Sequence, residues 1–127
     1  MQDILIVGLG GFLGSIGRYL LSSLVLHLTI PTRFPFSTLA VNVLGCLIIG
    51  LLAGFTERQP AFSPQARLFL FTGLLGGFTT FSAFGLETMN LLRRGDIGLA
   101  MLYAGGSVVL GITAVGLGLK LITILSR

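Results

Sequence analysis

Four apolar stretches, at about residues 4–26, 36–55, 67–92 and 97–123, occupy most of a 127-residue chain and carry very few charges. Each matches or exceeds the ~20 residues a helix needs to cross ~30 Å of hydrocarbon. A chain that must satisfy its own backbone in lipid and has so little left outside those stretches is confined to one all-α membrane domain, residues 1–127, with four transmembrane helices. Composition agrees, at 54% hydrophobic and 9% charged, against roughly 25% charged in soluble domains. A cleaved signal peptide is not expected at the N-terminus, because Asp3 stands where a basic region belongs and the first stretch is long.

The connections read as turns at the water boundary. Residues 27–35 hold Pro31, Arg33 and Pro35, residues 56–65 hold Glu57, Arg58, Pro60 and Pro64, and residues 93–96 are Arg93, Arg94, Gly95 and Asp96. With four spans, Arg58, Arg67, Lys120 and Arg127 lie on one side and Arg33, Arg93 and Arg94 on the other. The asymmetry that normally orients a membrane protein is therefore weak. Such a balance is compatible with insertion in both orientations, or with one orientation set by other details. The net charge of +4 is dispersed without a basic run, which excludes a nucleic-acid groove and suits contact with a lipid bilayer. Cys46 is the single cysteine, so no intrachain disulfide and no multi-cysteine metal site can form. His27, the only histidine, lies in a connection without an evident nucleophile partner, and no enzyme activity is expected.

The third stretch is interrupted near its middle by Gly76-Gly77-Phe78-Thr79-Thr80-Phe81-Ser82-Ala83-Phe84. Non-helical backbone at that depth persists only when buried in protein or beside a cavity holding water or ions. The segment is thus the candidate functional element. Its glycines and threonines can release carbonyl oxygens toward a cation, as unwound transporter helices do. Phe81 and Phe84, three apart, project on one side of the following half; ring edges favour an anion and ring faces a cation, and packing is the plainer use of either.

Polar residues inside the other spans are few. Thr38, Asn42 and Cys46 share a face of the second span, and Tyr103 and Ser107 share a face of the fourth. One polar residue per helix usually serves interhelical hydrogen bonding, but two such faces beside a broken helix suit a lined pathway. Arg18 lies well inside the first span, where burial costs ~2.5–3.5 kcal/mol unless it snorkels or faces a vestibule. Gly10 with Gly14, and Gly50 with Gly54, have the four-residue spacing of close helix packing. Four helices leave little room for a pathway, so oligomerisation is expected. Glu87 falls about two turns beyond the break, toward a surface, leaving no acid at mid-membrane. A proton-coupled carrier usually needs one there, which weighs against a small four-helix multidrug or cation exporter.

Taken in order, the segments from Gly10 to Tyr19, from Ser37 to Gly45 and from Gly73 to Phe84 closely resemble the Fluc (CrcB) fluoride channels over the whole chain. That resemblance implies an antiparallel, dual-topology homodimer of four-helix subunits with a broken third helix, in the inner or plasma membrane. It implies two fluoride pores and a central sodium ion that is structural and not transported. Carried over residue by residue, Gly76 and Thr79 hold the sodium through backbone carbonyls from both subunits. Phe81 and Phe84 present ring edges to fluoride, Asn42 donates hydrogen bonds, and Thr38, Thr80, Ser82, Tyr103 and Ser107 add hydroxyls. Arg18 matches the family's first-helix arginine, near a vestibule. Ala83 departs from the threonine common at that position, and Thr113 is a candidate replacement for the missing hydroxyl. The implied activity is passive export of fluoride, which lowers its toxicity.

Overall fold

The computed structural model describes residues 1–58 and 62–125, without the Arg58 side chain. Pro60 of the second connection and Arg127 of the charge balance lie outside the described residues. Four segments are long and apolar enough to cross a membrane: Gln2–Leu28, Phe36–Glu57, Pro64–Arg93 and Ile97–Leu125. No strand occurs among the described residues.

Helix α1 is Gln2–Leu28 and α2 is Phe36–Arg58. The third segment is composite. Its first part, α3 (residues 64–78), starts with the turn Pro64–Arg67, where the Ser63 hydroxyl accepts the Ala66 N–H at 3.1 Å and Pro64 fills a first-turn position that needs no donor. It continues as a π-helical run, Leu68–Leu75, and ends in the single turn Gly76–Phe78. Thr79 and Thr80 then adopt extended backbone, with φ/ψ of −84°/158° and −149°/111°. Helix α4, Phe81–Arg93, follows. Gly95, at φ +82°, turns the chain at the end of α4, and the Gly95 and Asp96 N–H groups close back on Leu92 and Leu91 carbonyls at 3.0 Å. Helix α5 is Ile97–Leu125.

Two seams hold the bundle. Along the first, α1 meets α3 backbone to backbone: a Cβ on Gly10 would sit 2.6 Å from the Phe69 carbonyl oxygen, and one on Gly14 would overlap the Leu74 carbonyl. The second seam joins α2 to α5, where a Cβ on Gly118 would sit 2.6 Å from the Leu47 carbonyl oxygen and one on Gly50 would overlap that of Val115. Because lipid tails are as apolar as leucine, close contact of this kind is what draws such helices together. The apolar side chains instead face outward, Leu9 at 62%, Met101 at 68% and Ile112 at 70% exposure, while Tyr103 and Thr38 are buried. That inversion of the soluble pattern is the signature of a chain solvated by lipid. A small core of Leu91, Ala100 and Tyr103, flanked by Phe34, Leu39 and Phe84, closes one end.

Candidate functional site

The extended pair Thr79–Thr80 has backbone groups that no helix satisfies, and α2 supplies the remedy. The Asn42 side-chain amide spans the Thr80 backbone, its Nδ2 donating to the Thr80 carbonyl at 3.0 Å and its Oδ1 accepting the Thr80 N–H at 2.8 Å. One side chain thus replaces both helical partners of one residue. The Thr80 hydroxyl accepts the Ala83 N–H at 3.2 Å, capping α4, and lies 3.4 Å from the Ser82 hydroxyl. Thr79 turns back on α3, where both its N–H and its hydroxyl donate to the Leu75 carbonyl at 2.9 Å.

This pattern leaves carbonyls at the end of α3 without helical partners, those of Gly76 and Thr79 among them. In an unbroken helix the Thr80 N–H would close on Gly76 and the Ala83 N–H on Thr79. Both donors are used elsewhere, by Asn42 and by the Thr80 hydroxyl. Gly76 and Thr79 also line an open pocket of about 390 Å³ between α2, α3, α4 and α5, together with Asn42, Phe81, Phe84 and Ser107. Uncommitted carbonyl oxygens are hard donors, so this pair fits a cation such as sodium and does not suit a soft metal.

The same pocket carries aromatic and hydroxyl groups. Phe81 and Phe84 stand 5.4 Å apart by ring centroid at 34°, and Phe84 stands 5.3 Å from Tyr103. Phe81 is 83% exposed in the single chain, a large ring left uncovered by its own helices. The Ser107 hydroxyl is buried without a hydrogen-bond partner, the one such side-chain atom among the described residues. A buried hydroxyl without a partner is costly, so this one is available to a ligand or to water.

Glu87, expected about two turns beyond the break and toward a surface, receives hydrogen bonds from two other helices. Its Oε1 accepts from the Thr38 hydroxyl at 2.7 Å and its Oε2 from the Tyr103 hydroxyl at 2.7 Å. Glu87 lies on the third membrane-crossing segment, close to the first connection at one end of the bundle. A usable signal was present: Phe84 and Glu87 are three apart on α4 and share a face. Of the residues singled out from the sequence, Asn42, Gly76, Thr79, Thr80, Phe81, Phe84 and Ser107 line the pocket, Tyr103 and Thr38 meet at Glu87, and Ser82 adjoins Thr80. Arg18 stands apart on α1, half-buried, with no hydrogen bond or ion pair among the described residues. Thr113 is exposed and does not line the pocket.

Comparison with known proteins bears on what this arrangement does. Residues 5–119 match the family model described as CrcB-like protein, Camphor Resistance (CrcB). A protein of Methylobacillus flagellatus named fluoride-specific ion channel FluC is 50% identical over 122 residues, covering 96% of this chain and 95% of its own length. Proteins of the same name from Thermus thermophilus and Flavobacterium psychrophilum are 49% and 48% identical, each with 95% of its own length matched, to 95% and 94% of this chain.

Proposed function

The chain belongs to the CrcB-like family, and from that membership we propose that it is a fluoride-selective channel that lets the anion run passively across the membrane. The observation that carries the reading is near-full-length identity of about one half with relatives named as fluoride-specific channels. Fluoride is small and strongly hydrated, so a pore must replace its water with donors and offer neither a deep trap nor room for chloride. Ser107, with a free buried hydroxyl, and the edges of Phe81 and Phe84 are suited to that exchange. Asn42 has its amide engaged with Thr80, so its part is to hold the break open and to present one remaining N–H to the pocket. In a cell with a negative interior the gradient for trapped fluoride points outward, which makes the channel an exporter in the inner or plasma membrane.

The assembly we propose is an antiparallel dual-topology homodimer with a broken third helix, two pores and one central sodium ion. The near-balanced loop charges, the uncovered Phe81 and the released carbonyls of Gly76 and Thr79 support it. Two carbonyls from each subunit would hold the sodium, which when bound supplies a fixed positive charge. Arg18 would sit near a vestibule, and Thr38, Thr80, Ser82 and Tyr103 would complete the polar lining.

A proton-coupled cation exporter would instead have to rely on Glu87, the acid of the third crossing segment, which lies near one end of the bundle. A single liposome comparison separates the two. Purified protein should pass fluoride down its gradient, and a proton gradient should drive no uptake of a cationic drug. Replacing Phe81→Ile and Phe84→Ile together should abolish the fluoride flux while the protein elutes as the wild-type assembly. Undiminished flux in that variant overturns the pore-lining role.

A further inference from the structure

The first connection folds back over the end of the bundle where Glu87 is held. The Thr32 hydroxyl and the Phe36 N–H both donate to the Phe34 carbonyl, at 3.3 and 2.9 Å. The Phe34 ring meets Tyr103 edge-on, with centroids 5.6 Å apart at 83°. Beneath this loop lies a second pocket of about 360 Å³, lined by Thr29, Thr32, Arg33, Ser37 and Glu87 among others. The carboxylate that Thr38 and Tyr103 hold from within the bundle is therefore also reached from this outer chamber.

Arg33 stands at the rim of that chamber. Its Nη1 lies 3.1 Å from Asp96 Oδ2, so the first connection is tied to the turn between α4 and α5. The two side chains are 65% and 21% exposed, and an ion pair so open to water adds little stability. Its charges nonetheless act on other ions nearby. Among the residues lining the chamber, Arg33 is the cation and Glu87 the anion. An anion approaching by this route meets attraction first and repulsion at the floor.

We propose that Arg33 is an entry residue, setting how readily an anion enters the pathway at the Glu87 end, and that Asp96 sets how much of the Arg33 charge that anion meets. The inference rests on the fluoride-channel reading. It differs from a latch in the sign of its effects. If the pair merely fastened the loop, removing either partner would loosen the same structure and shift conduction the same way. If charge governs entry, removing Arg33 leaves Asp96 and Glu87 unopposed and slows entry, whereas removing Asp96 frees Arg33 and speeds it.

The test is fluoride flux from liposomes at dilute fluoride, with ionic strength set by an impermeant salt. A unit charge ~10 Å from the path in water changes local anion occupancy about twofold. At low ionic strength Arg33→Gln should therefore fall about twofold and Asp96→Asn should rise about twofold. Both should converge on the wild-type rate at ~1 M salt, where the screening length is ~3 Å. Should Arg33→Gln give no folded protein, Asp96→Asn alone decides, since a fall or no change there overturns the proposal. A third variant separates charge from fold in protein already assembled. Arg33→Cys labelled with a cationic thiosulfonate should recover flux, and labelled with an anionic one should lose more, with labelled wild type as the control for Cys46. Opposite signs that vanish in salt support the entry role; shared signs, or effects indifferent to salt, overturn it. Wild-type protein that passes no fluoride at all overturns the channel reading itself, a result distinct from either.

Discussion

The contact of α1 with α3 and the contact of α4 with α2 and α5 lie in one small bundle and are built on opposite principles. Along α1 and α3, glycines bring backbone against backbone, and among the described residues no side-chain hydrogen bond links the two helices. Around α4, side chains hold everything: Asn42 on the Thr80 peptide, and Thr38 and Tyr103 on Glu87. In lipid a tight apolar seam needs only shape, whereas each buried polar group must find a partner. The difference teaches where function can sit. Where Gly10, Gly14 and Gly77 meet the opposite backbone the glycine seam leaves no room for a side chain, so it is scaffold. The polar side leaves a pocket, carbonyls released at the break and an unpaired hydroxyl, and these are what an ion could use.

The most damaging way to break this contrast is to give the seam a side chain. Gly14→Val places carbon where the Leu74 carbonyl lies, and backbone on both sides leaves nothing flexible to move aside. The expected cost exceeds the ~1–3 kcal/mol of ordinary overpacking. Membrane-inserted, detergent-stable protein should be lost, as read by yield and elution profile. Retained folded protein at wild-type yield would show that the seam is looser than its geometry. Next in size is Asn42→Leu, which keeps the branched shape of the side chain and strips the Thr80 N–H and carbonyl of their partner. Each orphaned buried group costs about 1–3 kcal/mol. The thermal midpoint in detergent should drop clearly, and fluoride flux should vanish because the break that frees the Gly76 and Thr79 carbonyls loses its support. Asn42→Asp restores only the acceptor and should recover part of the stability without the flux.

How far these two regions could be read in the sequence also differs. The glycine seam was legible because spacing is enough: Gly10 and Gly14 stand one turn apart on the first span, the separation that lets helices approach closely. The polar side was legible in part. Asn42, Thr38, Tyr103 and Ser107 stood out as isolated polar residues in apolar spans, and their faces followed from helical periodicity. Which group each would bond could not follow, since Asn42 and Thr80 are brought together by the packing of α2 on α4 and not by local sequence. Glu87 was hidden for a related reason. Counting turns along one helix placed it toward a surface but could not show that Thr38 and Tyr103, on two other helices, reach it there. The π-helical run Leu68–Leu75 had no signal at all, because its apolar residues suit an α-helix equally well.

The mildest perturbation asks whether the polar side is a network or a set of separate bonds. Tyr103→Phe removes one hydroxyl and leaves the ring to pack against Phe34 and Phe84 as before. Among the described residues Glu87 then keeps only Thr38 as a side-chain donor. Because the ring stays and no cavity opens, the stability cost should be that of one hydrogen bond to a carboxyl group, about 1–3 kcal/mol, below the sum for Asn42→Leu. Conduction should fall several-fold and remain measurable, since Ser107 and the phenylalanine edges are untouched. Thr38→Val, made on the same grounds, removes the other donor, and the double variant is the informative one. If Glu87 is held by two independent bonds, the losses in thermal midpoint add. If one donor fixes the carboxyl group for the other, the second loss is smaller than the first, as coupled neighbours behave. No change in flux from either variant would place these two hydroxyls and their hold on Glu87 off the ion path and leave them the same structural role as the glycine seam.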